Sequence, residues 1–177
     1  MGCVSVKLDK NNKSKKDSPS TDTNQNLETL TTEQKTLIRN NWQVLKCHVA
    51  NIGVITYVSM FENRPELIHI FASFKGRDVS ELEQTGLLRQ HALRVMATID
   101  KCITRLDEPA NMQNILKEVG IHHVRYKVPA EYLEDILPHF LSAIKPHIGD
   151  EWNEQSTKAW TIFLSIVVYY IKDGMKC

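Results

Sequence analysis

The stretch LLRQHALRVMATIDKCIT, residues 87–104, decides the reading of this chain. Leu88, His91, Val95, Ile99 and Cys102 recur at steps of three and four. That spacing puts them on one face of an α-helix. His91 therefore sits on an otherwise apolar stripe. In an arbitrary helical protein such an imidazole is most often a core residue with its hydrogen bonds satisfied; in a cofactor-binding helix it is a ligand.

The same spacing continues outward on both sides. Thr31 or Thr32 can cap a first helix, with Glu33 and Gln34 in its first turn, followed by Ile38, Trp42 and Leu45. A further amphipathic segment runs from Val49 to Phe61 and ends at the turn around Asn63-Arg64-Pro65. Leu133, Leu137, Phe140, Ile144 and His147 make another stripe, and Trp160, Phe163, Leu164, Val167, Val168 and Ile171 the last. The Asp173-Gly174 pair ends that last helix. Sustained alternation of period two and hairpin turns are absent, so the expected class is all-α, with six to eight helices.

Composition narrows the function. Hydrophobic residues are 42% and charged residues 24% of 177, enough for one packed domain. The net charge of +1 supplies no field for nucleic acid. The longest near-apolar run, Thr161 to Ile171, is shorter than the roughly 18 residues a spanning helix needs. The four cysteines have no disulfide-framework spacing; Cys47 and Cys102 read as buried thiols. His48, His69, His139 and His147 have no zinc-site spacing.

The first thirty residues differ from the rest. Lys7, Lys10, Lys13, Lys15 and Lys16 against Asp9 and Asp17 give residues 1–17 a net +3 in a chain of net +1. DKNNKSKKDSPSTDTNQN, residues 9–26, cannot bury enough apolar surface to offset its ordering entropy. Residues 1–30 are therefore expected to be a disordered basic tail, with a folded domain over 31–173 and a short C-terminal tail at 174–177. Met1-Gly2-Cys3 opens the chain. Gly2 is a candidate for N-myristoylation and Cys3 for palmitoylation, although Val6 stands where that motif has Ser or Thr. One acyl chain binds a membrane only marginally; a second chain or a Lys cluster makes the anchor stable.

Several motifs together resemble the globin family. They are Phe61-Glu-Asn-Arg-Pro65, Phe71 and Phe74, His91-Ala-Leu-Arg-Val95, and Val119-Gly120-Ile-His-His123-Val-Arg-Tyr126. With Asp150-Glu151-Trp152 and Trp160, the resemblance covers nearly all of residues 31–173. It is strongest toward neuroglobin and, given Gly2-Cys3, toward the acylated globin X branch. The resemblance implies a globin fold around haem b. It implies His123 as proximal and His91 as distal iron ligand, with Tyr57, Phe71, Phe74, Val95, Val119 and Val128 lining the pocket. Periodicity alone leaves His122 and His123 open, because Met112, Ile115, Val119 and His122 align as well as Leu116, Val119 and His123. The Val119-Gly120 motif favours His123. Tyr57, eight residues before Pro65, would stand above the iron as a hydrogen-bond donor to O₂, NO or nitrite. Its other reading is a core phenol bonded to a backbone carbonyl. Gly53 would let the second and distal helices cross closely.

The expected function is that of a membrane-tethered, six-coordinate haem protein at the cytoplasmic face of the plasma membrane. It would act with an unidentified redox partner in electron transfer, or sense O₂, NO or nitrite. Nitrite reduction or NO dioxygenation would be side activities. A five-coordinate O₂ carrier is the alternative within the family, and a haemless acylated helical adaptor the alternative outside it.

Overall fold

Of the two threonines that could cap the first helix, Thr31 is the one that does. Its Oγ1 accepts from the Gln34 N–H at 3.2 Å, and Gln34 Oε1 accepts from the Thr31 N–H at 2.9 Å. This reciprocal box satisfies two of the backbone donors that a helix start leaves open. A computed structural model describes residues 27–84 and 86–176. Among them are seven α-helices and no strand. They are α1 (Thr32–Leu45), α2 (Val49–Asn63), α3 (Val79–Gln84), α4 (Leu87–Thr104), α5 (Pro109–Arg125), α6 (Ile136–Ile148) and α7 (Glu154–Gly174). Short 3₁₀ turns punctuate the chain, the longest being Pro65–Ile70, with Ala130–Glu134 leading into α6. Gly2, Cys3 and the lysines of the tail lie outside the described residues.

The apolar stripes meet in two connected clusters. One gathers Trp42, Ile52, Leu116, Phe140, Trp160 and Phe163; the other gathers Tyr57, Phe61, Leu67, Phe74, Leu88 and Ala92. Leu27 and Leu30 pack against the first, ahead of the α1 cap. Both core indoles are paired. Trp160 Nε1 donates to Asn41 Oδ1 at 3.0 Å, and Trp42 Nε1 donates to Asp100 Oδ1 at 2.7 Å. α1, a 3₁₀ turn and α2 form one stretch, Thr32–Asn63, long and apolar enough by composition to cross a membrane. Four of its apolar residues, Ile38, Trp42, Leu45 and Ile52, are each at most 3% exposed in the core, while Val44 and Ile55 are exposed.

Glycines set two of the helix crossings. A Cβ on Gly53 would come within 2.9 Å of Ala92 Cβ, so α2 and α4 touch at the expected close contact. A Cβ on Gly120 would come within 2.1 Å of the Ile171 carbonyl oxygen, and one on Gly174 within 2.2 Å of the Lys117 carbonyl oxygen. α5 and α7 therefore meet backbone to backbone, which only residues without a side chain allow.

Two expectations change. The stripe from Leu133 to His147 is not one helix, because Leu133 lies in the 3₁₀ turn and α6 begins at Ile136. Pro129 bars a helix from continuing in, and Pro138 fits only within the first turn, where its missing N–H has no intrahelical partner to lose. Cys47 is exposed while Cys102 is buried. Cys47 sits in the Lys46–His48 turn, beyond the inward face of α1.

Candidate functional site

Five α-helices, α2, α4, α5, α6 and α7, and the turns between them line one cavity of about 760 Å³. α4 supplies His91 and Val95, and α5 supplies Val119, His122 and His123 from another wall. α2 contributes Tyr57, the turns after it Phe71 and Phe74, and the chain beyond α5 Val128. Every pocket residue expected from the sequence borders this cavity. Leu164, Val167 and Val168 of α7 line it from within the core.

Phe71 is the organising aromatic. It stacks on Phe74 with ring centroids 4.8 Å apart. It also meets His91 edge-on at 5.1 Å and Tyr57 edge-on at 6.1 Å. Such edge contacts each add roughly 0.5–1.5 kcal/mol beyond area burial, so the rings hold one another in place. The Tyr57 hydroxyl reaches neither solvent nor a backbone carbonyl but His91 Nε2, at 3.0 Å. Tyr57 is 5% exposed, and burial pushes its pKa well above the ordinary phenol value, so the phenol keeps its proton.

His91 is uncharged in this setting. Burial lowers its pKa to about 4, with smaller contributions from His123 and Arg94. A neutral imidazole has one nitrogen lone pair to give.

The adjacent histidines of α5 are in different settings. His122 is exposed and His123 half-buried. His123 Nδ1 lies 2.8 Å from the carbonyl oxygen of Val119, one turn earlier. A carbonyl only accepts, so Nδ1 carries a proton and Nε2 is the nitrogen left for another partner. The sequence could not separate the two histidines, because their stripes share Val119. Burial and this bond separate them.

Other cavity residues had no sequence signal. Leu67, Ile70 and Tyr132 lie in 3₁₀ turns, where no 3.6-residue period exists to read. Arg94 also borders the cavity; its place one turn after His91 on α4 was the available clue.

The site can bury a large apolar group between two imidazoles whose orientations are held by a carbonyl and by a phenol. Comparisons with known proteins identify the family and the fold. The globin family profile matches residues 55–171. "Cytoglobin-1" of Oryzias latipes is 30% identical over 145 residues, covering 81% of this chain and 82% of the relative. "Anaerobic nitrite reductase HBI" of Casuarina glauca is 28% identical, covering 83% and 98%. Among solved structures, a hexacoordinated haem protein from an anhydrobiotic tardigrade superposes with a TM-score of 0.78 at 19% identity, over 84% of this chain and 96% of that one. The neuroglobin of the acoel Symsagittifera roscoffensis superposes with a TM-score of 0.72 at 21% identity, over 81% and 97%. At those identities the two structures speak for the fold.

Proposed function

Because this chain belongs to the globin family, whose members hold haem, we propose that it binds haem b with His123 as proximal and His91 as distal ligand. The resting protein is six-coordinate. It works in electron transfer, or in sensing O₂, NO or nitrite, with nitrite reduction and NO consumption as side activities. The acylated tail, through Gly2, Cys3 and its lysines, holds it at the cytoplasmic face of the plasma membrane.

One observation carries the reading. Two imidazoles, one from α4 and one from α5, border the same apolar cavity, and the one on α5 already has its Nδ1 proton engaged by Val119. That bond is what an iron-binding imidazole needs, since it fixes the tautomer and aims Nε2 outward. Bound haem supplies an iron that exchanges one electron and takes a ligand on its sixth position. Phe71, Phe74, Val95 and Val128 would exclude water from it, and Tyr57 is the proton donor nearest to His91.

The visible spectrum of the reduced, ligand-free protein tests this. Sharp low-spin bands are expected, from two histidines on iron. A broad high-spin band would instead make the chain a five-coordinate O₂ carrier, and a colourless protein would make it a haemless adaptor. Gly2→Ala tests the anchor: the variant should move from the membrane fraction to the soluble fraction.

A further inference from the structure

The bond between Tyr57 and His91 joins α2 to α4 beside the cavity, with ring centroids 5.0 Å apart. We propose that Tyr57 is a positioning residue that holds His91 in an off-iron orientation, so that this one hydrogen bond sets how often the sixth position stands open. The inference rests on the bis-histidine reading above.

A neutral imidazole offers one nitrogen lone pair. His91 Nε2 can accept the Tyr57 O–H or bind a metal; it cannot do both. The competition is weighted toward the phenol by burial. Tyr57 is 5% exposed, and its aromatic neighbours apart from His91 are Phe61 and Phe71, which offer no oxygen acceptor. When His91 turns away, the hydroxyl loses this partner in an apolar setting, which favours the bonded, open arrangement. Phe71 contacts both rings edge-on and keeps them in register. Tyr57 thus opposes the six-coordinate state without abolishing it.

The test uses the full, haem-loaded chain in its ferrous, ligand-free form. Tyr57→Phe keeps the ring and deletes the bond. CO rebinding after flash photolysis reports the ratio of His91-bound to His91-free protein. That ratio should rise by roughly 5- to 150-fold, the factor that one buried hydrogen-bonding group left unpaired represents. Apparent CO affinity should fall by the same factor. In a His91→Leu background, Tyr57→Phe should change CO binding by no more than about twofold, because the competition is gone. An unchanged or lowered ratio overturns the proposal, and so does an effect that persists without His91, since Tyr57 would then act by shape alone.

A second measurement needs neither a variant nor haem. Imidazole ¹⁵N shifts of the haem-free wild type should report the Nδ1–H tautomer of His91 with Nε2 accepting a hydrogen bond. The Nε2–H tautomer would overturn the proposal. The two readings fail differently. If His91→Leu leaves spectrum and CO kinetics unchanged, the bis-histidine reading falls and takes this inference with it. If His91→Leu speeds CO binding while Tyr57→Phe matches wild type, only the role of Tyr57 falls.

Discussion

Replacing Gly120 by Ala adds one methyl group at the crossing of α5 and α7. The new Cβ would lie 2.1 Å from the Ile171 carbonyl oxygen, and 2.9 and 3.0 Å from Gly174 C and Cα. These are backbone atoms, so no side-chain rotation relieves the overlap. Real Cβ contacts essentially never fall under 3.0 Å, so α5 must retreat by about 0.9 Å. Overpacking of this kind costs roughly 1–3 kcal/mol. Ala in a helix interior returns about 1 kcal/mol over Gly. With backbone on both sides the upper end applies, for a net loss of about 2 kcal/mol. A domain of this size loses roughly 2–4 °C per kcal/mol, so the midpoint of thermal unfolding should fall by about 4–8 °C. Circular dichroism of the haem-free protein measures it. His123 lies three residues further along the same helix, so haem should also pass faster to an excess of a competing apoprotein. Gly53→Ala is the comparison. It meets Ala92 Cβ at 2.9 Å and Met96 Cγ at 3.2 Å, and a methionine can shift, so its loss should be smaller. A Gly120→Ala protein as stable as wild type, with unchanged haem retention, would refute the backbone contact and leave helix propensity as the whole effect.

His123→Ala should abolish stoichiometric haem binding in a Soret titration, while His122→Ala should retain it; the reverse result would shift the α5 register by one residue. His91→Leu should raise the CO association rate by about tenfold or more, since ligand no longer waits for a minor open form; an unchanged rate removes His91 from the iron. Lys127 has φ 58°, in the left-handed region that favours glycine. That conformation costs a side chain roughly 1–2 kcal/mol, partly offset by the greater unfolded-state freedom of glycine, so Lys127→Gly should stabilise by about 0.5–1 kcal/mol in urea unfolding. A destabilised variant would mean that the lysine side chain makes a contact worth more than its strain.

The helical class, a threonine cap at 31 or 32, the end at Asp173-Gly174 and the inward faces of α4 and α7 were all legible in the residues. Each follows from interactions between positions three or four apart, and those are independent of what the helix packs against. The pocket residues were legible mainly by resemblance, since a stripe says which side chains share a face and not what they face. The 3₁₀ turns hid Leu67, Ile70 and Tyr132, because at about three residues per turn they carry no apolar period of 3.6. Cys47, expected to be buried, is exposed because it sits in the Lys46–His48 turn, past the end of α1.

What required the packed molecule are relations between elements far apart in the chain. Val119 and His123 lie within one helix, yet His123 is half-buried and His122 exposed because of where the packed core leaves the cavity. Tyr57 and His91 are 34 residues apart, and their bond exists because Gly53 lets α2 press onto Ala92 of α4. Local periodicity sets the direction of a side chain relative to its own helix axis. The meeting of two side chains depends on the angle and distance between axes, and those are settled by the whole core at once.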